Sequence, residues 1–63
     1  METNEVIIKL ELDPMFYNKN LSVEKNLEVI TGDIEAEIEH HWHGYKPKSL
    51  KVKLEGKEFV KIY

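Results

Sequence analysis

Cysteine and arginine are both absent from these 63 residues, and proline occurs only twice. Without cysteine, no disulfide can staple the fold and no thiolate zinc site can form. The lack also fits a reducing cytosol. Without arginine, the chain has no planar fork for bidentate reading of guanine or phosphate. No apolar run approaches the roughly 18 residues of a membrane span. The opening METNEVIIKLELD carries acids where a signal peptide needs a basic segment and then an apolar one. These absences predict a soluble, cytoplasmic protein with no membrane role.

What is present is a hydrophobic fraction of 41%, with no low-complexity segment and no internal repeat. Residues 1–63 have room for a single small domain. A chain this short buries a small fraction of its surface and is marginal alone. With disulfides excluded, its remaining supports are an efficient core, self-association or a histidine-bound metal.

Charge is segregated along the chain. The net charge is -3, but residues 1–45 hold ten acids and three lysines, and residues 46–63 hold six lysines and two acids. The two parts can attract each other within the fold or face different partners.

The segment EVIIKLEL, residues 5–12, alternates and predicts a strand with Val6, Ile8, Leu10 and Leu12 on one face. Asp13-Pro14 stops it. Met15, Phe16 and Tyr17 follow in a loop and are expected to fold back as a lid over the core. Residues 22–31 have helix punctuation: Ser22 as cap, Glu24 in the first turn, Val23, Leu27 and Ile30 as a stripe, and Gly32 as terminator.

The stretch DIEAEIEHHWH, residues 33–43, fits two periods. As a strand it sets Ile34, Ala36, Ile38, His40 and Trp42 on one face and Glu35, Glu37, Glu39, His41 and His43 on the other. As a helix it lines up Ile34, Ile38 and Trp42. A helix through Gly32 costs roughly 1 kcal/mol against alanine, and a strand gives the acids a lysine-bearing neighbour in SLKVKLE, residues 49–55. These points favour a strand. Gly56 then turns the chain into a final strand over residues 58–63.

The expected fold class is therefore α+β: a small, mostly antiparallel sheet with one short helix, ordered β-α-β-β-β. The alternatives are β-α-β-β with one long helix through residue 43, and an all-β five-stranded small barrel in which residues 24–31 are a strand.

Three side-chain sets carry possible chemistry. Glu39, His41 and His43 on one strand face would lie roughly 7 Å apart in successive steps, a spacing that imidazole and carboxylate can use on zinc, nickel or copper. No second histidine cluster supports them, and the expectation is no metal and no cofactor. Glu35, Glu37 and Glu39 form a row, which does not converge as calcium or an acid/base pair requires. No nucleophile elbow or phosphate loop is present. The third set is Tyr45, Lys46, Lys48, Lys51, Lys53 and Lys61, basic residues with aromatics interspersed, as single-strand nucleic-acid binders use.

The functional expectation is a non-enzymatic protein–protein interaction module of accessory or inhibitor type. Glu35, Glu37 and Glu39 would supply charge complementarity, and Met15, Phe16, Tyr17 and Trp42 the apolar anchors. Exposed strand edges add the expectation of a homodimer. The alternative is single-stranded nucleic-acid binding through the C-terminal lysines, weakened by the net negative charge.

Overall fold

The structure, a computed structural model, describes residues 2–63. A 3-10 turn at Pro14–Phe16 precedes a long helix, α1 (Val23–His41), and two strands, β1 (Ser49–Leu54) and β2 (Lys57–Ile62). The strands form one two-stranded antiparallel sheet. The small α+β class expected from the sequence is thus observed.

The start of α1 is as its sequence dictates. The Ser22 hydroxyl accepts the Lys25 amide hydrogen at 3.1 Å, and Glu24 places negative charge in the first turn. Gly32, however, does not terminate the helix. Residues 33–41 are helical, which corrects the strand expected over 33–43. Val23, Leu27, Ile30, Ile34 and Ile38 make one continuous stripe and are all half-buried. A full side-chain burial contributes about 1.5–3 kcal/mol, so even partial burial of Ile34 and Ile38 offsets one internal glycine. Ala36 and the glutamates around it also favour helix over strand. The helix ends where the Trp42 amide donates to the Ile38 carbonyl at 3.3 Å. Gly44, at φ 89°, then turns the chain away.

The hairpin closes through Glu55-Gly56, both at positive φ (49° and 77°), the signature of a type I′ turn. Its register sets Leu54 opposite Lys57, Val52 opposite Phe59 and Leu50 opposite Lys61. Directly opposed residues share a face, so these six look toward α1, and Ser49, Lys51, Lys53, Glu58, Val60 and Ile62 look away. The pairing expected between 49–55 and 33–43 is replaced by pairing with β2. α1 packs chiefly across β1, and Lys61 of β2 reaches it through Glu35.

Three other expectations differ from the structure. Residues 5–12 form no ladder; Ile7 is 84% exposed. Their alternation is strand-like, but the sheet's hydrogen bonds are all made between β1 and β2. The barrel alternative fails because residues 24–31 are helical. Met15 and Phe16 do not cover the core: they are 90% and 76% exposed. Asp13 holds them outward by capping the turn, accepting the Met15 amide hydrogen at 2.9 Å. Only Tyr17 is half-buried.

The most shielded apolar side chain is Leu54, at 5% exposure. Beside the helix start lies Asn26, a polar residue at 3%. Its Oδ1 accepts the Asn18 amide hydrogen at 2.9 Å. Its Nδ2 donates to the Asn18 carbonyl at 2.9 Å and the Ser22 carbonyl at 3.0 Å. This amide ties the loop to the helix, and every buried side-chain polar atom among the described residues is partnered.

Candidate functional site

Because 33–41 is helical, Glu35 and Glu39 lie one turn apart on one side of α1, and Glu37 falls on the exposed opposite side with Asp33. The single row of three acids is therefore divided. Glu35 is also occupied. Lys61, facing the helix from β2, binds its carboxylate at 3.0 Å, and the same ammonium stands 5.0 Å from the Tyr63 ring centroid.

The hydrogen bond from Lys61 holds the Glu35 carboxyl below its ordinary 4.5, against a smaller opposing effect of burial. The same bond raises Lys61. Burial, with Glu35 beside it, raises the Tyr63 phenol. A depressed carboxyl contributes stability that is complete above the unfolded value near 4.5 and is lost as pH falls through the lower folded value. Melting temperature should therefore decline on acidification, and Glu35→Gln should flatten the decline. Matching acid profiles for the two proteins would remove Glu35 from the account.

Past the end of α1, Trp42 meets Tyr45 edge to face, with ring centroids 6.0 Å apart. Together with Ile38 and Pro47 they line a shallow groove of about 430 Å³, with Glu35, Glu39 and His43 at its rim. Helix geometry explains the grouping: residues 35, 38, 39 and 42 share one side of α1. The turn at Gly44 then brings Tyr45 back against Trp42. Trp42 and Glu39 were expected binders. Ile38 and Pro47 were not expected as binders; Ile38 joins Glu35 and Glu39 through helical spacing, and Pro47 reaches the groove from the connection to β1.

A second groove, about 660 Å³, lies between α1 and the sheet on the β2 side. Leu27, Thr31 and Gly32 form one wall and Val52 and Phe59 the floor.

The other candidates are scattered. Met15 and Phe16 sit on the turn before α1, toward the other helix end from Trp42. Tyr17 turns inward, its phenol raised first by burial and then by Glu55 and Glu24 nearby. Glu39, His41 and His43 no longer share a face, and no group of three metal-ligating side chains is assembled among the described residues.

The lysines do not form one patch. Lys48 binds Glu5 at 2.9 Å, Lys51 binds Glu58 at 3.0 Å and Lys61 binds Glu35. Lys48 is raised by its partner, and Glu5 and Glu58 are lowered by theirs. Lys51 and Lys53 look away from α1, opposite to Lys61. Such exposed pairs contribute roughly 0–1 kcal/mol each, but they neutralise three of the six C-terminal lysines locally. Among the described residues, no helix is long and apolar enough to cross a membrane.

Comparison with family models, curated proteins and solved structures finds no match for this chain.

Proposed function

We propose that this chain is a non-enzymatic interaction module that binds a basic, apolar-tipped segment of a larger protein in the Trp42–Tyr45 groove. The observation that carries the reading is the pairing of two aromatic walls with a carboxylate rim at Glu35 and Glu39. Aromatic anchors dominate interface energetics, and rim charges steer association and select the partner's sign. Glu39 is free for this work among the described residues, whereas Glu35 already holds Lys61. Binding is favoured over catalysis because the three histidines are exposed and the groove is shallow, which offers no enclosed cleft for a reacting group. Nucleic-acid binding is disfavoured by the acidic rim and by the carboxylates already on Lys48, Lys51 and Lys61.

The test is affinity capture followed by calorimetry with the captured partner. Trp42→Ala should weaken binding by about 2 kcal/mol or more, the size of an interface hot spot, roughly 30-fold. Glu39→Lys should slow association and reverse its dependence on salt. Equal capture by the Trp42→Ala protein, or capture abolished by nuclease, overturns the proposal.

The scaffold under this groove gains a third strand in the same reading. Glu5 is tied to Lys48, just before β1, and Tyr17 stands beside Glu55, just after it. Residues 5–12 therefore span β1 in its own direction, and a parallel pairing would turn Val6, Ile8, Leu10 and Leu12 toward α1. The crossover through α1 makes this a β-α-β unit followed by β2. Fast amide exchange throughout residues 6–12 would contradict it.

A further inference from the structure

The two edges of the hairpin differ in chemistry. In a two-residue type I′ hairpin the residues flanking the turn, Leu54 and Lys57, exchange backbone hydrogen bonds, and bonded and unbonded pairs alternate from there. The Tyr63 amide donating to the Lys48 carbonyl at 3.1 Å fixes the same alternation at the far end. The backbone groups of Ser49, Lys51 and Lys53 therefore point away from β2, and those of Glu58, Val60 and Ile62 point away from β1. The β1 edge carries Lys51 and Lys53, and it is the side along which the chain runs from Glu5, beside Lys48, through residues 5–12 to Tyr17, beside Glu55. The β2 edge carries two apolar side chains in place of these lysines, Val60 at 57% exposure and Ile62 at 74%.

We infer that the β2 edge pairs antiparallel with the β2 edge of a second copy, about a two-fold axis through Val60. The β2 sequence is self-complementary in that register. Val60 meets its own counterpart, Glu58 lies opposite Ile62 of the second copy, Phe59 opposite Lys61, and Lys57 opposite Tyr63. No like charges face each other, and the Phe59–Lys61 pair brings an ammonium against an aromatic ring. The β1 edge lacks this property, because pairing it with itself about its centre sets lysine 51 against lysine 51 or 53 of the copy.

Two further observations point to a second copy of this chain. Phe59, Val60 and Lys61 of β2 line the second groove, so the dimer sets two such grooves side by side across the axis. In addition, among the described residues a single copy has one buried apolar side chain, Leu54, still 5% exposed, and assembles no metal-ligating cluster, and the sequence has no cysteine. Of the usual supports for a chain this small, self-association is the one left. The interface is isologous, as two-fold dimers require, and it leaves the Trp42–Tyr45 groove free.

Sedimentation of the full chain tests the proposal. The wild type should run at twice the chain mass. Val60→Lys and Val60→Glu each place like charges on the axis and should run as monomers. An equimolar mixture of the two should recover the dimer, because opposite charges then meet. Lys53→Glu, on the other edge, should remain dimeric. A monomeric wild type, a dimeric Val60→Lys, a mixture that stays monomeric, or a monomeric Lys53→Glu each overturns the inference. Hydrogen exchange on the wild type avoids dependence on variants. Amides of residues 58, 60 and 62 should slow with rising protein concentration while those of 49, 51 and 53 do not. Exchange independent of concentration at all six sites also overturns it.

Discussion

Leu54→Ala is expected to cost about 2–5 kcal/mol, a large part of the 5–15 kcal/mol that holds a typical domain. Leu54 is the most shielded apolar residue, lies at the end of β1 and faces α1. Around it the core is thin. Leu50, Val52 and Phe59 on the sheet and Val23, Leu27 and Ile30 on the helix are all only half-buried. Neighbours that are themselves partly wet cannot compensate for a lost isobutyl group. Adjacent Glu55 and Gly56 hold the turn through backbone conformation, so the hairpin cannot shift to close the gap. Urea unfolding followed by far-ultraviolet circular dichroism measures the effect. A loss below about 1 kcal/mol would place the site among ordinary surface substitutions and show that the core lies elsewhere.

Asn26→Ala is the second large effect, at about 2–3 kcal/mol. The substitution removes the acceptor for the Asn18 amide and the donor to the Asn18 and Ser22 carbonyls. Each hydrogen bond lost contributes about 0.5–1.5 kcal/mol net, and the substitution removes these three together. The loss should be local as well as global, because this amide is what fixes residues 18–21 against the helix start. Exchange at the Asn18 amide should accelerate more than exchange at residues 34–38. Asn26→Asp separates the contributions: it keeps the acceptor, loses the donors and brings a charge into a dry site, so it should be at least as damaging as alanine. Stability unchanged in the alanine protein would mean that solvent satisfies Asn18 equally well.

These two residues show what was legible in the sequence. Leu54 is legible as an inward strand residue, because Leu50, Val52 and Leu54 alternate with Lys51 and Lys53 and Gly56 marks the turn. Asn26 was not legible. A polar residue in the middle of a helical pattern looks like solvent-facing filler, and its partners are backbone groups eight and four residues earlier, which no side-chain pattern reports. The cap at Ser22 was legible because capping chemistry is local.

The largest misreading, residues 33–43 as a strand, has a physical origin. Charged and apolar residues alternating with a period of two also satisfy i, i+4, i+8 for Ile34, Ile38 and Trp42. The choice then rests on the lysine-bearing neighbour that a strand would give the acids and on Gly32, whose cost is about 1 kcal/mol. Continuity of the stripe from Val23 to Ile38 outweighs it, and that sum cannot be formed until the two halves are considered together. The site followed the same course. Trp42 and Glu39 were identifiable as an aromatic and an acid at a segment end, but their convergence with Tyr45 depends on the helix bringing residues 35, 38, 39 and 42 to one side. The three glutamates expected on one face are divided, since Glu37 turns away from Glu35 and Glu39, and Glu35 is held by Lys61. Residues 5–12 illustrate a different limit. Alternation reports a capacity to pair but not the identity of the partner.

Everything proposed for the groove requires α1 to run unbroken from Val23 to His41. Backbone carbon chemical shifts measure this residue by residue. The account predicts helical shifts continuing through Gly32 and on to His41, with the break at Trp42. Helical shifts that stop at Gly32 and turn extended from Asp33 onward would separate Glu39 from Trp42, release Glu35 from Lys61 and leave no groove to bind a partner.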